Sequence, residues 1–322
     1  MSDQRRKRQF HSRTHASETL NGVDVSGKTF AITGTTSGIG VDTAEALALA
    51  GAHVVMINRN VAESEKLKAR ILEKRPNAKV DIVTCDLNNL KSVRKAAEEY
   101  LAHKWPIHGL ILNAGVFKPA VPKTTDGFES HFGVNVLAHF TLLRVLLPVV
   151  RRSAPSRIVI LSSTLSSKAG LKPAMPLDKK LDILCGEGSS NGVLNNYGAS
   201  KMADMLIAFK LHRDEYPNGI STYSVHPGDA VRTDIFRNST TGKIFSFLST
   251  PFTKNSSQGA ATTVYCATHP EVADASGRYW ESCWDDEKSL DKDIARDEQI
   301  QNALWKRLEE LDDRVCGPRT PL

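Results

Sequence analysis

The chain has 322 residues, 40% of them hydrophobic and 24% charged, with a formal net charge of +6. This is globular composition with enough apolar residues for a sizeable core, so an intrinsically disordered or fibrous chain is excluded. The positive total invites a nucleic-acid partner, but Arg5, Arg6, Lys7, Arg8 and Arg13 against Asp3 supply +4 of it, and the near-neutral body without basic–aromatic interleaving argues against one.

Residues 1–26 read as a flexible basic tail, with a localisation signal or an anionic-surface contact as alternatives. The five cysteines (Cys85, Cys185, Cys266, Cys283, Cys316) are scattered, odd in number and never spaced as CxxC. They suit free thiols in a reducing compartment and offer no metal site. His108, His131 and His139 do not stand at ligand spacing either. No signal peptide is evident. The most apolar run, Val136 to Val150, is short for a membrane span and carries His139 and Arg144. A soluble, cytoplasmic protein is expected.

From Gly27 onward, apolar runs alternate with helical patterns. Strands are predicted at Lys28–Gly34, His53–Asn58, Lys79–Cys85, Ile107–Asn113, Arg157–Leu161 and Ser221–His226. Helices are predicted at Ile39–Ala50, Ala62–Lys74, Leu90–His103, Gly127–Arg151 and Asn196–Tyr216. Strands this apolar are covered on both faces, and the repeated strand–helix alternation implies right-handed crossovers. The expected architecture is α/β: a single doubly wound, Rossmann-type parallel sheet with helices on both faces, in one domain over residues 27–315. Segments 166–193 and 235–256 break the alternation and read as excursions on the substrate side. Ile294–Leu311 reads as a last helix that packs on the body or, less simply, in a partner's groove.

The first strand runs into Gly34-Thr35-Thr36-Ser37-Gly38-Ile39-Gly40 and then a helix. Glycines let backbone N–H groups approach a phosphate, and the helix N-terminus favours its charge. The spacing is G-x-x-x-G-x-G, not G-x-G-x-x-G. The second strand ends at Asn58-Arg59. A carboxylate here would accept hydrogen bonds from an NAD ribose, whereas Arg59 accommodates a 2′-phosphate, so NADP is expected over NAD. Asp86-Leu87, after the third strand, stands where an adenine edge would pass, although Asp86 could equally cap the next helix.

Tyr197 and Lys201, at i and i+4 of a predicted helix, share a face. A phenol is a poor proton carrier at neutral pH, and a nearby ammonium lowers its pKa and makes it a usable general acid/base. A surface Tyr and Lys would look the same in isolation.

Together with Asn113-Ala114-Gly115, Asn135, Ser162-Ser163, Tyr197-Gly198-Ala199-Ser200-Lys201 and Pro227-Gly228, taken in this order, the chain resembles the short-chain dehydrogenase/reductase family over roughly residues 27–235. The runs at 131–135, 157–163 and 226–228, with Gly277-Arg278-Tyr279-Trp280 and Leu304-Trp305, resemble the branch holding the retinol dehydrogenases and the WW-domain-containing oxidoreductases, in their catalytic part alone. The resemblance implies that Tyr197 is the acid/base and that Lys201 also holds the nicotinamide ribose. It makes Ser163, rather than Ser162, the hydroxyl on the substrate oxygen. Adjacent residues of a strand face opposite sides, so a shift of one residue reverses that choice. Asn135 would be the proton-relay asparagine, against a kink or a satisfied buried amide. Pro227-Gly228 would wall the nicotinamide and Thr233 would contact its amide. The helices corresponding to 127–152 and 196–216 would pair two copies.

The implied activity is hydride transfer between NADP(H) and an alcohol or carbonyl. Leu171, Pro173, Met175, Ile235, Phe236, Ile244, Phe245 and Phe247 make a small apolar substrate plausible, whether retinoid, steroid or lipid-like. The alternative is a nucleotide-binding sensor or scaffold with little turnover. Two departures stand out. Ser163 and Tyr197 lie 34 positions apart, beyond the short connection of simpler members, and Leu112 replaces a common second asparagine.

Overall fold

The structure, a computed structural model, describes residues 8–187, 192–228, 254–285 and 287–318. The expected strands form at β1 (Thr29–Thr33), β2 (His53–Asn58), β3 (Lys79–Thr84), β4 (Gly109–Leu112), β5 (Ser156–Leu161) and β6 (Ile220–His226), joined by β7 (Arg278–Glu281). They make one parallel sheet of seven strands in the order β3-β2-β1-β4-β5-β6-β7. β7 was not expected as a strand: four residues carry little periodicity, and pairing with β6 from Tyr223↔Arg278 onward makes them one. Strand order reverses between β1 and β4, which opens a crevice at the carboxyl ends of those two strands.

Alternation along each strand splits the core into two layers. Ala31, Val55 and Ile57 face one side with Tyr100, Phe140 and Leu206; Phe30, Ile32, Val54 and Met56 face the other with Leu47 and Tyr265. Full burial of each large side chain contributes on the order of 1.5–3 kcal/mol, so the sheet is held from both faces. The helices are α1 (Ile39–Leu49), α2 (Val61–Lys74), α3 (Leu90–Ala102), α4 (Ala138–Arg152), α5 (Leu177–Leu184) and α6 (Gly192–Glu215), followed by Ser256–Thr268, Lys292–Ala295 and Glu298–Cys316. Asn60 and Asn89 cap α2 and α3 with their side chains, and Asn255 closes a full capping box on the Ser256–Thr268 helix.

Four further details differ from the sequence reading. Residues 8–26, expected within the flexible tail, pack on the body. Phe10, Ala16, Leu20 and Val25 are buried, Phe10 meets Tyr265 edge-on, and Arg8 pairs with Asp285 at 2.6 Å beneath the Trp280 ring. Its charge is thus satisfied inside the fold; residues 1–7 lie outside the described residues.

The 166–193 excursion holds α5, whose Leu181 and Leu184 are buried. It is therefore partly a packed helix, with residues 188–191 outside the description. The helix Phe132–Arg152, including its first π-wound turns, is long and apolar enough to cross a membrane by length and composition. The same apolar window is 83% buried here, as in a core helix.

The last helix breaks at Arg296-Asp297, where Asp297 accepts from the N–H groups of Gln299 and Ile300. It lies over α4 and α6: Trp305 meets Phe140 edge-on and sits under Lys210, and Asp312 accepts from Thr141 and Arg144. The faces that the resemblance would offer to a second copy are covered in part by the chain's own helix.

Candidate active site

The turn after β1 is wired into a fixed shape before any ligand contact. Thr35 N–H donates to Asn58 Oδ1 (2.8 Å), and Asn58 Nδ2 donates to Thr35 Oγ1 and Ser64 Oγ. Asn58, expected among the cofactor contacts, is thus a buried brace whose amide is committed to the protein. A Cβ on Gly40 would fall inside the Gly34 carbonyl oxygen and beside Asn113 Nδ2, so only glycine lets α1 start this close to the turn. Gly34 and Gly38 have φ of +75° and +59°, the left-handed region that glycine tolerates. Thr36 and Ser37 stay accessible, and Ile39 opens α1.

Arg59 extends into solvent, its side chain 74% exposed and 3.6 Å from Asp86. Asp86 is not the cap of α3, which is Asn89; it forms its own turn by accepting from Asn88 N–H. Leu87 packs against the core.

At β4, Asn113 Nδ2 donates to the carbonyls of Thr33 and Gly34, while its buried Oδ1 has no hydrogen-bond partner. Such an orphan acceptor beside a glycine cradle fits a polar ligand in the crevice, as a nucleotide would be. Thr33 Oγ1 accepts the N–H groups of Asn113 and Ala114 and pairs with His139 Nε2 at 2.9 Å. His139 Nδ1 in turn donates to the Asn135 carbonyl (3.0 Å). Burial first, with the Lys201 charge nearby, pushes His139 down to about 3, so the ring is neutral and joins the nucleotide end to the catalytic end.

Asn135 lies in a π-wound segment, Phe132–Leu137, a distortion common at functional sites. Its amide is fully committed: Oδ1 accepts from Val116 N–H, and Nδ2 donates to the Val116 carbonyl and to Ser200 Oγ. The satisfied buried amide weighed from the sequence is therefore present. Gly115 stands close beside Asn135 and Lys201: a Cβ there would lie 3.4 Å from Oδ1 and 3.7 Å from Nζ, in van der Waals contact with both.

The two serines after β5 divide as strand alternation requires. Ser162 Oγ donates to the Lys201 carbonyl (2.7 Å). Ser163 caps the short helix Thr164–Lys168 and lies near enough to the Tyr197 hydroxyl to draw its pKa down. The 34-residue separation is bridged by a close crossing. A Cβ on Gly198 would lie 2.6 Å from the Leu165 carbonyl oxygen, so glycine beside Tyr197 lets α6 press onto the turn that follows Ser163.

Phe117 and His131 close on the Tyr197 ring edge-on. His131 is fixed between Glu129 and the Phe117 carbonyl. Pro227 and Gly228 follow β6, with Lys254 Nζ against both. Thr233, together with Ile235, Phe236, Ile244, Phe245 and Phe247, lies outside the described residues. Leu171 and Met175 are half-buried and Pro173 is exposed.

Lys201 is enclosed. Its ammonium donates to the Leu161 carbonyl (2.8 Å) and to Asp204 (2.9 Å) and stands 5.9 Å from the Tyr197 ring centroid. Burial opposes the lysine's charge, yet Asp204 and Tyr197 together raise its pKa. Lys201 was expected to bring the Tyr197 pKa down. Instead, burial raises it, the Lys201 charge and Ser163 pull it back only in part, and Asp204 adds to the rise. Asp204, Ser200, His139 and Thr33 were not assigned from the sequence. The i, i+3 spacing of Lys201 and Asp204 was the one visible signal.

Comparison with known proteins places these features in company. A profile described as short chain dehydrogenase matches residues 28–174. The chain is 38% identical over 317 residues to the WW domain-containing oxidoreductase of Gallus gallus, covering 98% of this chain and 75% of that protein. It is 36% identical over 285 residues to retinol dehydrogenase 12 of Mus musculus, covering 88% and 85%. Among solved structures, a putative uncharacterized protein from Mycobacterium paratuberculosis superposes with a TM-score of 0.66 at 25% identity, over 93% of this chain and 97% of that one. A 7α-hydroxysteroid dehydrogenase complexed with NADH and 7-oxo glycochenodeoxycholic acid shares the fold, with a TM-score of 0.64 at 20% identity over 80% and 94%.

Proposed function

The chain belongs to the short-chain dehydrogenase/reductase family, as an oxidoreductase acting with a nicotinamide cofactor, and from that premise we propose that it uses NADP(H) on an apolar carbonyl or alcohol. The observation that carries the reading is the buried grouping of Tyr197 with Lys201, 5.9 Å from its ring on the same helical face, and with Ser163, both of which draw the phenol's pKa down. A sensor or scaffold needs none of that proton chemistry.

The turn 34–40 would hold the pyrophosphate, Arg59 the 2′-phosphate, Asp86 and Leu87 the adenine side, and Asn113 to Gly115 the ribose side. The bound nicotinamide supplies or accepts the hydride at the substrate carbon. Tyr197 then gives its proton to the developing alkoxide, and Ser163 steadies that oxygen by a hydrogen bond. Lys201 keeps a charge beside the phenol and takes up the ribose. Asn135 braces the segment before α4 with its amide, and its main-chain carbonyl, which also accepts from His139, would hold the water of the relay implied for it. Alcohol oxidation runs the same steps backward.

Three observations support the finer points. Arg59 extends from the end of β2 with no carboxylate at 57–60, which favours NADP over NAD. The name of one relative, retinol dehydrogenase 12, agrees with an apolar substrate, as does the enclosure of Tyr197 by Phe117. All five cysteines are unpaired, which supports a reducing compartment such as the cytoplasm.

The test is nicotinamide fluorescence titrated with NADPH and NADH, on the native chain and on Arg59→Glu. A lost guanidinium–phosphate contact is worth about 1.5–3 kcal/mol, so NADPH should bind roughly ten- to a hundredfold more weakly to the variant while NADH changes little. Failure of the native chain to bind either nucleotide would overturn the reading. Preference for NADH would overturn only the role of Arg59.

A further inference from the structure

Tyr197, Lys201 and Asp204 stand at i, i+4 and i+7 of α6, one continuous face, and all three are buried. The proton chemistry proposed above uses the first two. The third is a carboxylate that is 2% exposed, with Oδ2 2.9 Å from Lys201 Nζ. A carboxylate is seldom enclosed this fully without a partner, and here the partner is the catalytic ammonium itself. An ammonium has three N–H donors. One goes to the Leu161 carbonyl and one to Asp204, which leaves a single donor for the substrate side.

We infer that Asp204 is a positioning residue of this site: its carboxylate anchors the Lys201 ammonium from the far end of the helical face and offsets part of the charge that Lys201 brings to Tyr197. The inference rests on the oxidoreductase reading and specifies which residue sets the working pH of its acid/base. Coulomb attraction between buried charges is weakly screened, so a counter-ion in contact with Lys201 weakens the pull on a phenol one helical turn away. The titration directions agree. Asp204 contributes to the upward shift of Tyr197, and burial holds Asp204 itself up at about 6 despite the adjoining ammonium.

Among the described residues, other ionisable groups on this face are few. His139 reaches in from α4 and is neutral. Alternation along β6 puts His226 on the α6 side at the strand end. Glu129 and His131 pair with each other beyond the Tyr197 ring. β5 and the residue after it contribute the Leu161 carbonyl and the Ser162 hydroxyl, neither of them charged.

Tyrosinate absorbance tests the inference without a substrate. The nucleotide-free chain is titrated with alkali, and the Tyr197 contribution is isolated by subtracting the same titration of Tyr197→Phe. Asp204→Asn keeps the shape and removes the charge, so the Tyr197 midpoint should fall by about one pH unit. In the NADPH-dependent reduction of decanal, the alkaline limb should move down with it. A folded Asp204→Asn protein whose midpoint stays in place overturns the proposal. Asp204→Glu, which keeps the charge, should leave the midpoint within about 0.3 unit of the native value; should Asp204→Asn not fold, a full-unit fall in this variant overturns the proposal as well. Native protein that binds no nucleotide and reduces no decanal counts against the oxidoreductase reading, whereas an unmoved midpoint in an active enzyme counts against Asp204 alone.

Discussion

The nucleotide end and the catalytic end sit at the same edge of one sheet, yet they are built on opposite plans. At the turn after β1, polar side chains are spent on one another: Thr35, Asn58 and Ser64 form a closed set, and Asn113 clamps two carbonyls. What remains for a ligand is backbone shape, one orphan acceptor and an exposed arginine. At α6 the working groups are themselves enclosed, with charge on Lys201 balanced by Asp204. Binding by shape tolerates solvent, whereas proton transfer by a phenol needs a nearby charge that water does not screen. The two ends should therefore fail differently when perturbed.

The largest separation comes from Tyr197→Phe. The ring keeps its edge contacts with Phe117 and His131 while the transferable proton is gone. Turnover should fall by about 10²–10⁴-fold, with NADPH affinity within about twofold of the native value, read by steady-state kinetics beside a fluorescence titration. A large loss of NADPH binding would mean that the two ends are not independent. Gly40→Ala is the mirror experiment. Its Cβ has no room against the Gly34 carbonyl and Asn113, and forced overpacking costs about 1–3 kcal/mol. Nucleotide binding should drop by roughly five- to a hundredfold, together with Tm. Native-like binding in this variant would show that the turn adapts and is not preformed.

The same contrast decides how much could be read from the sequence. The alternating strands and helices were legible because burial on both faces of a parallel sheet leaves continuous apolar runs. Gly34, Gly38 and Gly40 were legible because a backbone requirement admits one residue type. Strand alternation left two choices, Ser162 and Ser163, and only the family resemblance pointed to the second. Other features depend on contacts that close only in three dimensions. β7 exists through its pairing with β6. The packing of residues 8–26 depends on Arg8 finding Asp285, more than 270 residues away. α5 was hidden by the glycines and prolines around it. Asp204 looked like any charged helix residue until folding buried it against Lys201. Asn58 turns its amide to Thr35 and Ser64, and sequence order does not tell whether an amide faces a ligand or its own turn.

Thr33 is where the contrast can be broken, because it belongs to both ends. Its Oγ1 accepts two N–H groups at the end of β4 and meets His139, which holds the Asn135 carbonyl. Thr33→Val keeps the volume and removes the acceptor. Unsatisfied buried donors cost about 1–3 kcal/mol, a loss visible as a lower midpoint in chemical denaturation. Nucleotide affinity and turnover should both decline, since Asn113 and Asn135 lose a shared support. A decline confined to one of them would show that His139 does not couple the two ends.

The smallest effect belongs to the exposed pair. Arg59 and Asp86 stand 3.6 Å apart with side chains 74% and 36% exposed. A pair this open is worth between nothing and about 1 kcal/mol. Asp86→Asn should therefore leave the denaturation midpoint nearly unchanged. Its consequence lies in binding: the carboxylate competes with a 2′-phosphate for the guanidinium, so its removal should raise the preference for NADPH over NADH by about two- to threefold, and more so at low salt, where screening is weak. NADH, which brings the same adenine but no 2′-phosphate, should gain nothing. A measurable loss of stability on this substitution would show that the nucleotide end, like the catalytic end, depends on a charge pair that water does not weaken.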